Sequence, residues 1–481
     1  MTLKHLPLLA VLALMAAAPS TSRANVYASA LSATDGGANY AISFRLNEAA
    51  TSVTVEVLDN TLAVVKTIAG GALAKGANTV NWDKTNNSSV AVPSGTYTFR
   101  VVAADSTGHA DWFKISDDTS AQTQFFSAKG VQVNKNQASD FFGRVYVAEN
   151  AGQTGSGGRL TGVAGTNDGI FVLSADLADI TSQGNSAYAS AVGWTSSASS
   201  PYALALSDDG FLYISDWTDT NAQVWVMQEN ALTTTPTALF GPDAIGVGGI
   251  RNNGTADYQG SIQMLRAFGT GSGKYLMTID EDITVAGANP GSILRYDVGN
   301  AVTNYNTVPT VVYDDTVNGD LIKNAENGFS FDPAGNIWIS QYRATDGAAV
   351  PSLIRYNTTT SAVDFNSFNN LPGPFNASNR GKNAINPAGN TLALSASASL
   401  RILDITAFPP TLTKTIGATE GYSGTNTYQL DWDAAGNLYS VSTSAERLRV
   451  FSPPGANTFT TSSPTAAAMT IVADVQDWMN Y

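Results

Sequence analysis

The chain has 481 residues, too many for one ordinary hydrophobic core, so two or more domains are expected. Its formal net charge of −14 disfavours sequence-independent nucleic-acid binding and attraction to anionic membrane surfaces. The absence of cysteine excludes disulfides, so the domains must be stabilised by buried apolar area alone.

The first 24 residues have the pattern of a secretory signal peptide. Lys4 precedes the apolar run Leu8–Ala18, and the small-residue segment Ser22–Ala24 follows, which predicts cleavage before Asn25. A membrane anchor is the alternative, but the run has only about half of the ~20 residues that a spanning helix needs. We therefore expect a secreted, periplasmic or cell-surface protein with no membrane insertion after the signal is removed.

Residues 25–105 predict a small Ig-like β-sandwich. Apolar and polar residues alternate through Ser52–Asp59, which places Val53, Val55 and Val57 on one face of a half-buried strand. Further short strands follow, with Trp82 as a central residue to bury. Trp82-Asp83 and the run "VPSGTY" that begins at Val92 resemble the Ig-like domain of flagellar hook-capping proteins. In secreted proteins, this resemblance implies a spacer or docking module.

Residues 106–128 are predicted to be a linker, and residues 129–481 repeat a strand–turn–strand unit that ends its turn in glycine. His109 is interpreted as a solvated linker residue. The turn glycines recur at roughly 50–70-residue intervals, which is typical of β-propeller blades with long loops. They are Gly143, Gly210, Gly273, Gly335, Gly389 and Gly436. We predict a six-bladed propeller, or seven blades if strands near Trp112–Ile115 or Met469–Val472 complete another, and we expect Met469–Val472 to close the ring.

The repeated motif D-x-x-G-N-[IL]-[WY], as in Asp332–Trp338 and Asp433–Tyr439, resembles NHL-repeat and gluconolactonase-like propellers. This resemblance implies the architecture more strongly than an activity, because such propellers include both binding proteins and enzymes. In the gluconolactonase-like relatives, Glu, Asn and Asp from different blades hold a metal, and Glu149 with Asp216 or Asp280 would take two of these roles.

Histidine occurs only at His5 and His109, which excludes a Cys/His zinc site, His-ligated haem or copper, and a Ser-His-Asp triad in the repeats. The remaining candidate ligands are carboxylates and neutral polar groups, which recur at one aligned position, the end of the second strand of each repeat. These are Glu149, Asp216, Asp280, Gln341, Ser395 and Ser442.

Equivalent positions of a propeller lie on one ring, so this position predicts a ligand site at the rim. Glu149, Asp216 and Asp280 are the metal candidates, with Gln341 beside them, and calcium is the cation that such oxygen ligands suit. Trp217 and Tyr342 could stack on a sugar. The alternative is that the acids only make hydrogen bonds at strand ends.

No residue is assigned a catalytic role. We expect an exported, non-catalytic binding or scaffold protein with a protein or carbohydrate ligand on the loop face of the propeller. The inserts 151–168, 229–262, 301–326 and 357–382 favour this reading, since rigid scaffolds carry binding loops. A metal-dependent lactonase-like hydrolase, or a glycan-active enzyme that uses paired carboxylates, is the alternative.

Overall fold

The computed structural model describes residues 26–150, 169–181, 200–217, 223–229, 236–241, 261–280, 291–322, 327–341, 350–371, 382–396, 398–424 and 426–472. The predicted signal peptide lies outside these ranges. Within them, nearly all regular structure is strand, which confirms the all-β class. The helical elements there are single turns: α1 (Ser367–Asn370) and 3-10 turns at Ala121–Thr123, Gly271–Gly273, Ala418–Glu420 and Thr465–Ala467. None of the helices described could span a membrane.

The N-terminal lobe consists of two antiparallel sheets. Its strands are β1 (Ala28–Asp35), β2 (Tyr40–Leu46), β3 (Ala50–Leu58), β4 (Val64–Leu73), β5 (Gly76–Trp82), β6 (Gly95–His109), β30 (Gly455–Ser462) and β31 (Met469–Ile471). One sheet has the order β1-β2-β5, and the other has the order β30-β6-β3-β4, with β31 also paired to β6.

The core of this lobe lies between its two sheets. Val53, Val55 and Val57 are buried together on one face of β3, as their alternation predicts. Trp82 is fully buried in the same cluster, and its indole N–H donates to the carbonyl of Thr85 at 2.9 Å. The polar edge of the indole is therefore satisfied while its rings fill the core.

The described residues form six further sheets, which we number 1 to 6 by the chain order of their first strands. Sheet 1 has β8 (Ala128–Val133), β9 (Val145–Glu149) and β10 (Gly169–Leu173); sheet 2 has β11 (Leu204–Leu206), β12 (Phe211–Ser215), β13 (Val224–Gln228) and β14 (Thr237–Ala238). Sheet 3 has β15 (Ile262–Phe268), β16 (Tyr275–Asp280), β17 (Ile293–Tyr296) and β18 (Thr310–Tyr313); sheet 4 has β19 (Gly328–Phe331), β20 (Ile337–Ser340), β21 (Leu353–Asn357) and β22 (Ala362–Asn366). Sheet 5 has β23 (Asn383–Ile385), β24 (Thr391–Ala396), β25 (Ser399–Asp404) and β26 (Thr411–Ile416). Sheet 6 has β27 (Thr427–Trp432), β28 (Leu438–Ser442), β29 (Arg447–Ser452) and, from the other end of the chain, β7 (Phe113–Lys114).

The first strands of these sheets contact one another in a cycle. Each of β8, β11, β15, β19 and β23 contacts the first strand of the next sheet, and β27 contacts β8. Within each of these six sheets the first two strands are antiparallel neighbours, so the end of the second strand lies beside the start of the first. We call this the rim end, and the opposite end, where the first hairpin turns, the turn end.

Polar side chains bridge the junctions between neighbouring sheets. Between sheets 6 and 1, Asp431 accepts from the Val133 N–H and from the Lys135 ammonium, both at 2.7 Å. Between sheets 3 and 2, the Lys274 ammonium lies 2.9 Å from the Asp209 carboxylate. The last sheet is thus joined to the first by side-chain contacts of the same kind as those between consecutive sheets.

The turn glycines have the predicted positive φ at five of the six positions. Gly210 and Gly335 both have φ of +82°, a conformation that disfavours residues with a Cβ atom, and Gly143, Gly389 and Gly436 are also in the positive region. Gly273 differs. In that repeat the positive φ values belong to Gly269 and Gly271, because the hairpin turns through a short 3-10 segment.

The predicted linker contributes strands to both lobes. Strand β6 continues to His109, and β7 pairs with β29 as the outer strand of sheet 6. His109 is not a solvated linker residue, because its Nε2 lies 2.8 Å from Glu48 Oε1 and its ring stacks on Phe113. Residues 106–128 therefore connect the lobes through paired strands.

The C-terminal segment does not follow its predicted place. The sequence predicts that Met469–Val472 closes the ring and that residues 129–481 form one propeller domain. Instead, Met469 pairs with Tyr97 of β6 and is fully buried in the core of the N-terminal lobe. Strand β30 likewise pairs with β6, so the last strands complete the first lobe.

Candidate functional site

The six positions predicted from the sequence all lie at the rim end. Ser395 is the last residue but one of β24, and the other five close or directly follow their second strands. All six side chains are buried. These residues therefore stand at corresponding places in their sheets, and their individual contacts determine what they can do.

Glu149 links two strands of sheet 1. Its Oε1 accepts from the backbone N–H of Ser127 at 3.0 Å, immediately before β8 begins. The Ser127 hydroxyl donates to Asn150 Oδ1 at 2.6 Å. The Glu149 carboxylate therefore ties the end of β9 to the start of β8.

The other two acids make similar connections. Asp216 accepts from the Ser200 hydroxyl, which precedes β11, and from the Trp225 indole N–H at 3.2 Å. Asp280 Oδ1 accepts from the Ser261 N–H at 3.2 Å, immediately before β15. All three carboxylates therefore bind groups that precede the first strand of their own sheet.

The neutral members also bond near the strand ends. The Ser395 hydroxyl accepts from the Lys382 N–H at 3.0 Å. Gln341 Nε2 donates to the carbonyls of Pro351 and Leu321, at 2.5 and 2.9 Å. Acid, amide and hydroxyl side chains at this position therefore all make hydrogen bonds, with partners that differ from sheet to sheet.

The described residues do not assemble the predicted calcium site. Among them, no three Asp, Glu or His side chains come together as a group that could hold a metal ion. Glu149, Asp216 and Asp280 each accept a hydrogen bond from a group that precedes a different first strand, and Tyr342 lies outside the described residues. A metal at the rim stays a prediction.

A second set of residues, which the sequence analysis missed, lies at the centre of the rim end. Each belongs to a different sheet and stands within two residues of the start of its first strand, and all are buried. We call this set the central cluster: Lys129, Tyr202, Gln263, Asn327, Lys382 and Tyr428.

Lys382 joins three sheets within this cluster. Its ammonium donates to the carbonyl of Gln263 at 3.0 Å and to the carbonyl of Asn327. The Asn327 N–H in turn donates to Gln263 Oε1 at 2.7 Å. Sheets 3, 4 and 5 are connected through one lysine side chain.

The aromatic residues connect the remaining sheets. The Lys129 ammonium lies 3.7 Å from the centre of the Tyr428 ring, a cation–π distance. Tyr428 meets Tyr202 edge to face at 5.6 Å, and Tyr202 lies 4.8 Å from the ring of Trp217. Trp217, the predicted stacking residue, is only partly buried, so its ring is the most exposed of the three.

Charged side chains continue along the first strands. Arg266 of β15 donates to the carbonyls of Phe329 and Asn383, at 3.2 and 3.3 Å. Burial lowers the pKa of Arg266, and the nearby Asp431 carboxylate opposes this shift. The inner strands therefore carry basic groups from several sheets.

A sequence signal for the central cluster exists. Tyr202, Asn327 and Tyr428 stand eight residues before Gly210, Gly335 and Gly436, respectively, and Lys382 stands seven before Gly389. Aligning the repeats one strand earlier would have shown a recurring large polar residue.

Comparison with known proteins supports the reading of the first lobe. The FlgD Ig-like domain family matches residues 28–107, which confirms the predicted resemblance to the module of hook-capping proteins. FlgD from Pseudomonas aeruginosa is similar over 18% of this chain and 67% of its own, with 27% identity and a TM-score of 0.15. No curated protein matches the chain.

Other solved structures are similar over most of the chain. A protein of unknown function from Bacteroides thetaiotaomicron covers 89% of this chain and 98% of its own, with 10% identity and a TM-score of 0.42. A protein described as a candidate gluconolactonase covers 73% of this chain and 94% of its own, with 10% identity and a TM-score of 0.40. The calcium structure of a Trichoderma reesei carbohydrate-active enzyme of family AA12 covers 73% of this chain and 96% of its own, with 13% identity and a TM-score of 0.39.

Proposed function

We propose that the chain combines an Ig-like β-sandwich with a six-bladed β-propeller, each of sheets 1 to 6 being one blade. The cyclic contact of the first strands supports this, as do the polar bridges from sheet 6 to sheet 1. Strand β7 would close the last blade from the N-terminal side, which joins the two ends of the ring by backbone hydrogen bonds.

We further propose that the protein is exported and binds a ligand at the rim end without catalysing a reaction. The observation that carries this proposal is the different use of the two polar sets. The rim acids are held by strand-end N–H and O–H groups. The central cluster instead gathers a residue from every sheet, with rings and amides that suit a carbohydrate or a polar segment of a protein.

The contacts of the N-terminal lobe support a ligand face at the rim end. Arg45 of β2 makes two hydrogen bonds to Asp176, at 2.9 and 2.8 Å, and Asp176 lies just beyond the end of β10, at the turn end of sheet 1. Burial by itself would raise the pKa of Asp176, but hydrogen bonds from Arg45 and Ser174 lower it below its ordinary value. The lobe is thus held against the turn end, and the rim end points away from it.

The proposal is tested with protein recovered from the periplasmic or culture fraction, whose first residue is expected to be Asn25. We expect binding on a glycan or protein array, loss of that binding in Trp217→Ala, and no turnover of a lactone panel with calcium or EDTA. Phe113→Ala, which truncates an exposed ring beside the lobe junction, is the matched control and should keep the binding.

Turnover of a lactone that EDTA abolishes would overturn the proposal in favour of a metal-dependent hydrolase. Calcium should leave the melting temperature unchanged if the rim acids have only structural contacts. A calcium-dependent rise that the double variant Glu149→Ala and Asp216→Ala removes would restore the predicted metal site.

A further inference from the structure

A cleft of about 100 Å³ lies at the turn end, where the first strands of sheets 1 and 2 finish. It is lined by residues 132–136, at and beyond the end of β8, and by residues 206–208, at and beyond the end of β11. We propose that this cleft is a second binding site, for a small hydroxylated molecule with a primary ammonium group, such as an amino sugar. The inference goes beyond the proposed function, because the ligand face proposed above lies at the opposite end of the sheets.

The charges around the cleft favour a cation. The Lys135 ammonium lies 2.7 Å from both carboxylate oxygens of Asp431 and 3.4 Å from the carbonyl oxygen of Val133, so its charge and its three hydrogens are used within the protein. Asp208 is exposed, and no group in the described part of the chain makes a hydrogen bond or ion pair with its carboxylate. The Asp208 carboxylate is therefore the charge that a ligand in the cleft meets.

The walls of the cleft hold the backbone of Asp208 in place. The side-chain amide of Asn136 donates to the Asp208 carbonyl at 2.9 Å, which links the loop after β8 to the turn after β11. Asn136 is itself positioned by its backbone N–H, which donates to Asn134 Oδ1 at 3.0 Å. The site of the negative charge is thus fixed by contacts that leave the carboxylate available.

A buried acceptor lies on the wall formed by β8. Gln132 is only 7% exposed, and its Nε2 donates to Asp431 Oδ2 at 2.8 Å and to the Val133 carbonyl at 3.2 Å. Both amide hydrogens are used, and none of the described residues donates to its Oε1. Because Gln132 lines the cleft, a ligand hydroxyl that enters it would satisfy this acceptor.

The size and the lining of the cleft indicate the class of ligand. A space of about 100 Å³ holds roughly seven to ten water-sized groups, enough for an amine and most of one sugar ring. The half-buried side chain of Leu206 adds an apolar wall. An amino sugar would place its ammonium group by Asp208, a hydroxyl by Gln132 and a face of its ring by Leu206.

The test is calorimetric titration of the full mature protein with D-glucosamine, D-glucose and N-acetyl-D-glucosamine at about pH 6, where a primary amine carries its proton. We expect D-glucosamine to bind about fivefold more tightly than either neutral sugar, the effect of one partly exposed ion pair. Asp208→Asn should abolish this preference and leave the affinity for D-glucose unchanged. Asp140→Asn removes the same charge from an exposed residue of the neighbouring β8–β9 loop, outside the cleft, and should keep the preference.

Equal affinity for the three sugars, or binding of none of them, would overturn the inference, and these comparisons need no variant. A preference that survives in Asp208→Asn would overturn it as well. Trp217→Ala separates the two sites, since Trp217 follows β12 at the rim end, and this variant should keep the binding of D-glucosamine. Loss of that binding would place the amine at the rim end and overturn the second site, whereas failure of the array experiment would overturn only the proposed function.

Discussion

At the scale of single residues, the repeated D-x-x-G-N motif is a side-chain clamp on the first hairpin of a sheet. Asp332 Oδ1 accepts from the Asn336 N–H at 2.9 Å, and its Oδ2 accepts from the Asn336 side chain at 3.0 Å. Asp433 binds Asn437 in the same way, at 2.8 and 2.7 Å. The first and last residues of the motif therefore recur together because they are hydrogen-bond partners.

In sheet 6, Asp433 and Asn437 of this motif are fully buried beneath the N-terminal lobe. Burial raises the pKa of Asp433 to about 7, although bonds from Asn437 and the charge of Lys135 oppose the shift. Tyr27 of the first lobe lies close enough that the Asp433 charge also helps to raise the pKa of its phenol, after burial. An ionisable carboxyl thus lies at the contact between the lobes.

Asp433→Asn should remove a pH dependence of stability. The folded-state pKa is above the unfolded value, so the folded state holds its proton between about pH 4 and 7, and stability falls as pH rises through that window. The variant should lack this fall and be more stable at pH 8, by at most about 4 kcal/mol for a shift of about three pKa units. Urea unfolding at pH 5 and pH 8 measures both effects.

The substitution is compatible with the turn, because sheet 5 already has asparagine there. Asn386 Oδ1 accepts from the Asn390 N–H at 3.1 Å, and its amide donates to the Asn390 side chain at 2.8 Å. A variant that remained as pH-sensitive as the wild type would show that Asp433 is not the group responsible.

At the scale of elements, the two-residue strand β7 completes sheet 6 although it precedes the repeats in the chain. It supplies the outer edge of sheet 6, where Phe451 pairs with Lys114 and Ser452 pairs with Phe113. The Ile115 N–H extends the pairing by donating to the carbonyl of Val450 at 2.9 Å. This strand joins the beginning of the repeats to their end.

Ile115→Pro should weaken sheet 6, because proline has no N–H to donate to Val450. Leaving that buried carbonyl without its partner should cost about 1–3 kcal/mol of unfolding free energy. Hydrogen exchange should show faster exchange of the Val450 amide, whose own partner is the neighbouring Ser116 hydroxyl.

Ile115→Val is the matched control, since it keeps the N–H and most of the apolar side chain. It should leave both the melting temperature and the exchange of Val450 close to wild type. Equal effects of proline and valine would mean that side-chain packing, not the backbone bond, holds β7.

At the scale of the whole molecule, the two lobes share a continuous pair of strands. Gly455 pairs with His109 in the first lobe, and Ser452 pairs with Phe113 in sheet 6, so β6–β7 and β29–β30 cross between the lobes side by side. A ring group of Tyr27, Phe142 and Phe459 packs at the same junction, with centres 5.4 to 6.3 Å apart. The first lobe is therefore integrated with the repeats at both ends of the chain.

Met469→Ala should destabilise the N-terminal lobe although residue 469 follows the last repeat. Removing a buried methionine side chain typically costs about 2–5 kcal/mol. Exchange of the β6 amides near Tyr97 should become faster, whereas the amides of β29 should change less.

Met469→Leu has nearly the same volume and should behave almost as wild type. If the alanine variant instead affected sheet 6 and spared β6, the C-terminal strand would belong to the ring, as its sequence position first suggested.

Local patterns determined the strands and their repeats. Alternation placed Val53, Val55 and Val57 on a buried face, and turn glycines marked five hairpins, because side-chain period and backbone conformation depend on neighbouring residues. The same patterns aligned the end of each second strand as one position, that of Glu149 and its counterparts.

Only the tertiary structure decided the long-range pairings and the composition of the site. Met469 meets Tyr97, and Lys382 meets the carbonyls of Gln263 and Asn327, across distances in the chain that no local pattern records. Strand pairing depends on which edges meet in space, and the environment of a buried charge depends on every sheet that surrounds it. That is why the sequence predicted acids at the rim, while the fold placed lysines at its centre.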